Sequence, residues 1–331
     1  MTPQRWLLVL PPEGAARSVA MHAANAFLSY LSEDQYKTVD ALPYLRGYTG
    51  LLRTPDDTII TDLFNQSLTV TCFDFQPTHC LVAALAPVTL FTLQLFRRYG
   101  ITTAHWFFED YRRATYWESV LEGYDHFFAI QHGAVEQRCS GTSTAYHFLP
   151  PACGCADLSY TPGERPYDTV FIGIPSTYRV TLLETLARGG IRLAIAGSGW
   201  EQYKGPLETA IISSSWINEE ASFALMQQAK TGINLSFTDP AGGADIHVSP
   251  RLFDLMAAGC LPVSEAVPLL AETAPGAHIS RFTTPEEAVA AIRYHLESWS
   301  PQDTLIADNR ELVLAKHRYS HRVEQLMRKV S

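Results

Sequence analysis

The stretch Ser249–Glu265, SPRLFDLMAAGCLPVSE, carries the pattern that decides the fold. Ser249 followed by Pro250 marks a helix start, a hydroxyl N-cap ahead of a proline at the first helical position, and Gly259 stands where that helix must stop. CLPVSE then reads as a short buried strand, so the segment has the helix-then-strand grammar of a parallel sheet. Two charges, Arg251 and Asp254, interrupt the apolar helix three residues apart and therefore on one face. The helix start follows the strand-bearing GINLSF and the loop TDPAGGADIHV, so its free N–H groups and dipole form an anion site. Arg251 adds a guanidinium fork suited to a diphosphate, and Asp254 a carboxylate suited to both hydroxyls of a ribose. An exposed ion pair is the plainer alternative for the two.

The same grammar extends along the chain. In the first half WLLVL (6–10), TVTCFDF (69–75), CLVAALA (80–86), TTAHWFF (102–108) and HFFAI (126–130) are strand-like, most of them followed by longer periodic stretches. A segment rich in Pro, Gly, Cys, Ser and Thr, from Leu149 to Pro166, reads as a linker. DTVFIGIP, RLAIAGSGW, TGINLSF and CLPVSE then restart the alternation with helical patterns between them. The expectation is an α/β chain of two Rossmann-like lobes with an interdomain cleft: residues 1–155, residues 156–310, and a closing basic amphipathic helix over 311–331.

Composition fits that reading. The chain has 331 residues, 47% hydrophobic and 18% charged, which is enough for sizeable cores. A net charge of −9 gives no global basic field for nucleic acid, so an anionic ligand must be bound locally. Six scattered cysteines, Cys153-Gly154-Cys155 among them, form neither a disulfide framework nor a zinc spacing, and point to free thiols in a reducing cytoplasm. The apolar run Trp6–Leu10 is too short for a signal-peptide core, and Pro87 divides the uncharged stretch Cys80–Phe96 into a strand and a helix, so stable membrane insertion is not expected.

Other residues stand where chemistry could happen. Asp110 ends TTAHWFFED at the carboxyl edge of a strand, where it could act as a general base; Glu109 is its rival, and a cap or surface role is the alternative for either. Gly197-Ser198-Gly199 lacks the third glycine of a dinucleotide loop, Gln202 taking its place, so it reads as a strand-end turn with Trp200 as a cleft wall. Gly173 is a turn at the end of VFIG. Arg179, ahead of VTLLETLA, is either solvated or in contact with phosphate or the other lobe. His247 precedes the Arg251 helix and ranks above His132 as a polar site residue, and Glu265 ends its strand where it meets sugar, nucleotide or solvent. No Asp-x-Asp occurs, so the two-carboxylate clamp for a divalent metal is missing, and no metal or other cofactor is expected.

From Val170 to His321 the chain resembles the catalytic half of the CgeB-like, spore-maturation-type glycosyltransferases of the GT-B superfamily. The resemblance rests on Arg251-Leu252-Phe253-Asp254, on the segment Lys230 to Asn234, and on His317-Arg318-Tyr319-Ser320-His321-Arg322. Asp254 stands where the family has Glu. The first half resembles the family more weakly, through HWFFED, YDHFFAI and LPPA. The resemblance implies a sugar nucleotide, UDP- or dTDP-linked, in the C-terminal lobe, touching Gly173, Arg179, Gly197, Trp200, Lys230, Asn234, His247, Ser249, Arg251, Asp254 and Glu265. It implies a hydroxyl acceptor on a protein, glycan or small molecule, held mainly by the N-terminal lobe near Asp110 and Glu109, with reaction in the cleft. It also implies a last helix packed back toward the N-terminal lobe. Two rivals use the same scaffold: a sugar-nucleotide epimerase or hydrolase, and a non-catalytic nucleotide-sugar or glycan-binding protein.

Overall fold

WLLVL forms strand β1 (Trp6–Leu10), every residue of it buried, as an uninterrupted apolar run at the centre of a parallel sheet requires. The computed structural model describes residues 4–51, 57–240 and 247–331. It divides into one unit of residues 1–151 with 319–331 and a second of residues 152–318.

The first unit follows β1 with α1 (Gly14–Phe27), β2 (Tyr36–Asp40), α2 (Leu42–Leu51), α3 (Asp57–Phe75), β3 (His79–Ala83), α4 (Leu90–Arg98) and β4 (Thr102–Phe107). Next come α5 (Trp117–Val120), β5 (His126–Ala129), α6 (Ala134–Ser140) and β6 (Ala145–Phe148). Its six strands are all parallel, in the order β2-β1-β3-β4-β5-β6. The second unit contains β7 (Tyr167–Ile172), α7 (Thr177–Arg188), β8 (Leu193–Ala196), β9 (Ile211–Ser213), α8 (Glu219–Met226) and β10 (Ala229–Asn234). It continues with α9 (Arg251–Ala257), β11 (Leu261–Glu265), α10 (Leu270–Thr273), β12 (Ser280–Phe282), α11 (Pro285–Glu297) and α12 (Thr304–Lys316). Its parallel order is β12-β11-β10-β7-β8-β9, so the winding reverses between β7 and β10, the kind of point at which open α/β sheets bind ligands. The fold is GT-B, two α/β lobes.

The last helix, α13 (Tyr319–Val330), belongs to the first unit. Tyr319 stacks on His22 with ring centroids 5.1 Å apart, and the buried Arg322 donates through Nε to Pro150 O at 2.9 Å. Burial depresses that guanidinium to about 10.

One expected strand is a helix. TVTCFDF lies inside α3, where Phe64, Leu68, Cys72 and Phe75 are buried at helical spacing; its β-branched residues suggested a strand, and tertiary packing overrode the local preference. The true second strand is the partly exposed edge sequence YKTVD, which has no apolar run to mark it.

Gln76 follows α3 with φ of 51°, in the left-handed region, its N–H donating to Cys72 O at 2.8 Å. The side chain is exposed, so Gln76→Gly should relieve strain without loss of packing and stabilise by about 1 kcal/mol, raising Tm by roughly 2–4 °C. A lower melting temperature would contradict this. Among the described residues no helix is long and apolar enough to cross a membrane.

Candidate donor site

At the carboxyl edge of the second sheet, β7 is followed by Gly173 and β8 by Gly197, whose φ is 140°. A Cβ on Gly197 would stand 2.5 Å from Gly173 O, so only glycine allows the two backbones to meet. Gly173 O also accepts from Trp200 Nε1 at 2.8 Å. Trp200 is 1% exposed and packs with Phe171, Leu183 and Ile195, so it is a core residue; the cleft-wall expectation is corrected by its burial.

Arg179 also turns inward. Its Nε, Nη1 and Nη2 donate to Ser236 O, Ile174 O and Leu235 O, each at 2.9 Å. Ser176 caps α7 and donates through Oγ to Phe237 O at 2.6 Å. Together these bonds tie the segment after β10 to the turn after β7, which replaces the phosphate contact expected of Arg179. Arg179→Met should therefore cost about 3 kcal/mol, a fall of roughly 6–12 °C in Tm, because three carbonyls lose a charged donor. Unchanged stability with lost nucleotide affinity would restore the phosphate role.

Lys230 and Asn234 occupy opposite ends of β10, roughly 13 Å apart at about 3.3 Å per residue. Lys230 is at the amino end, 3.9 Å from Asp168 and near the Trp299 ring, so it leaves the candidate donor set. Asn234, 4% exposed, is at the carboxyl end, donating through Nδ2 to Ser264 Oγ at 3.0 Å.

The helix α9 begins at Arg251, with Pro250 immediately before it, and the Arg251 N–H reaches Ser249 Oγ at 3.4 Å. Gly232 lets α9 lie close on β10: a Cβ there would meet Leu255 Cδ2 at 2.2 Å. Gly259, φ 73°, ends the helix as its sequence position predicts. His247 is partly buried just ahead of α9; residues 241–246 of the preceding loop lie outside those described.

The two charges of α9 have different surroundings. Asp254 Oδ1 accepts from the N–H of Gly154 at 2.9 Å and of Cys155 at 3.3 Å, and from the Cys153 thiol at 3.3 Å. This oxygen anchors the start of the second unit. Arg251 stands 6.0 Å from the Phe171 ring centroid, and its Nη1 is sealed from solvent with no hydrogen-bond partner among the described residues. Burial depresses the guanidinium to about 10, against the pull of Asp254.

Glu265 ends β11 with its carboxyl raised above the ordinary range by burial. In the first unit, Asp110 is held by its neighbour: Arg112 donates through Nε to Oδ1 at 2.9 Å and through Nη2 to Oδ2 at 2.6 Å. Glu109 is partly buried and its carboxyl is raised, by desolvation first, with Arg113 opposing and Asp110 reinforcing. His132 bonds through Nδ1 to the Tyr146 hydroxyl at 2.8 Å and stacks on Phe148, a packing role.

Sequence reading missed Trp216, 63% exposed after the carboxyl end of β9; an unexplained tryptophan between strand and helix was its only signal. It also missed the role of Cys153-Gly154-Cys155, whose partner lies about a hundred residues away.

Residues 179–328 match a family model described as glycosyl transferase-like. No curated protein matches the chain. Among solved structures, sucrose-phosphate synthase from Thermosynechococcus elongatus is similar at 12% identity and TM-score 0.66, covering 99% of this chain and 98% of its own. HepE from Anabaena, in complex with UDP and glucose, is similar at 9% identity and TM-score 0.66, covering 99% of each chain. BGT of T4 phage, in complex with UDP and Mn2+, is similar at 9% identity and TM-score 0.58, covering 99% of this chain and all of that one.

Proposed function

We propose that the protein is a glycosyltransferase of the CgeB-like kind, moving a sugar from a UDP- or dTDP-linked donor to a hydroxyl acceptor. The observation that carries the reading is Arg251: a guanidinium at the start of α9 whose sealed Nη1 has no hydrogen-bond partner among the described residues, beside the point where the second sheet reverses its winding. A buried donor without a partner costs stability, and a diphosphate oxygen would satisfy it with a charge-assisted hydrogen bond. Trp216 offers the face of an exposed ring to the nucleobase. Complexes of two structural neighbours with UDP support a nucleotide in this fold.

The acceptor oxygen attacks the anomeric carbon as the bond to the diphosphate breaks. The acceptor proton passes to a carboxylate, for which Glu109 is the better placed chemically, since both oxygens of Asp110 are already held by Arg112. Arg251 meets the charge developing on the leaving diphosphate. The missing Asp-x-Asp supports a metal-independent reaction.

The test is consumption of UDP- and dTDP-sugars with and without acceptor mixtures, each in the presence and absence of EDTA. Consumption that needs an acceptor and survives EDTA is the expected result. Consumption without acceptor would indicate an epimerase or hydrolase, and binding without turnover a nucleotide-sugar-binding protein.

A further inference from the structure

At the amino edge of the second sheet, opposite the edge where Gly173 and Gly197 meet, cations and aromatic rings alternate. Arg310 Cζ stands 3.8 Å from the Tyr160 ring centroid and Arg165 Cζ 5.9 Å from it. Arg165 Cζ is also 5.9 Å from the Trp299 ring, and Lys230 Nζ is 5.8 Å from that ring. Three positive charges thus share two ring faces. Gly259 gives the group its room: a Cβ there would stand 2.6 Å from Tyr160 Cε2 and 2.9 Å from Arg165 Nη2.

The charge is not balanced. Arg165, 4% exposed, donates through Nη1 to Ala229 O at 2.6 Å and through Nη2 to Ala258 O at 2.9 Å, and Arg310 donates through Nε to Ala257 O at 3.0 Å. Those acceptors are neutral, and among the described residues neither guanidinium has a carboxylate within ion-pair distance. Asp168, 3.9 Å from Lys230, already takes two bonds from Arg192. Burial, with the Arg165 charge adding to it and Tyr160 opposing, holds the Arg310 guanidinium below its ordinary value.

The hydrogen bonds are not complete either. Arg165 Nε, Tyr160 Oη and Trp299 Nε1 are sealed from solvent and have no hydrogen-bond partner among the described residues. All three are donors, and leaving them unmet costs stability. A buried water would answer poorly, because it must also donate, and the carbonyls at hand, Ala229 O, Ala257 O and Ala258 O, are already engaged. An anion accepts from every side, donates nothing and meets the excess charge. Since the three donors are sealed, that anion is small.

We propose that a halide ion, chloride in ordinary solution, binds beside Arg165 and accepts from Arg165 Nε, Tyr160 Oη and Trp299 Nε1. It ties the segment before β7 to the segment after α11, at the opposite end of α9 from Arg251, and it does not rest on the donor reading.

The test follows melting of the full chain, prepared free of halide in sodium gluconate, as sodium chloride replaces the gluconate at constant ionic strength. Tm should rise by roughly 2–4 °C and saturate. The double substitution Tyr160→Phe with Trp299→Phe keeps a ring at each position but removes two donors, and it should lose most of that rise. No rise, a rise that never saturates, or the full rise in the double variant would overturn the proposal. Wild-type crystals grown in sodium bromide give a check independent of how the variant folds: an anomalous peak is expected in contact with Arg165 Nε. No bromide there would overturn the proposal, and bromide there with melting indifferent to chloride would overturn it as an adventitious ion only.

Discussion

Arg251→Ala should melt no lower than the wild type, yet bind the nucleoside diphosphate roughly a hundredfold more weakly. The two halves of that expectation have one cause. Arg251 is desolvated and its Nη1 has no hydrogen-bond partner among the described residues, so the fold gains little from the charge and can gain from its removal. The ligand loses a charge-assisted bond. Arg251→Lys should recover only part of the affinity, because a point charge does not reproduce the planar fork. A variant that melts lower than the wild type with affinity intact would make Arg251 a packing residue.

Glu109→Gln should cut transfer by about 100- to 1,000-fold with donor affinity unchanged. The carboxylate must be ionised to take the acceptor proton, and desolvation raises its pKa, so activity should fall as pH drops through a value above the ordinary glutamate range of about 4.3. That acid limb should disappear from the residual activity of Glu109→Gln. Asp110→Asn loses charge opposite Arg112 instead, and its main expected effect is local destabilisation. If Asp110→Asn abolishes transfer while Glu109→Gln is fully active, the roles are reversed.

The sequence is most legible where burial is complete. β1 is a continuous apolar run, β3 (HCLVA) and β11 (LPVSE) are apolar over most of their length, and all three are buried throughout where the sequence places them. The edge strands β2, β9 and β12 are short and partly exposed, with no such run to read. Site residues divide along another line. Spacing places Arg251 and Asp254 on one helix face but cannot say what lies across from each, and the partner of Asp254 is supplied by a loop a hundred residues earlier. Arg179, a plausible phosphate ligand by position, is used up by carbonyls some fifty-seven residues on. Lys230 fails for a simpler reason: strand direction puts it at the edge opposite Asn234.

The most direct measurement is a crystal structure of the full chain with the tightest-binding nucleotide sugar. The account predicts a diphosphate oxygen within hydrogen-bonding distance of Arg251 Nη1. A nucleotide bound elsewhere, with Arg251 Nη1 still unpartnered, would contradict it.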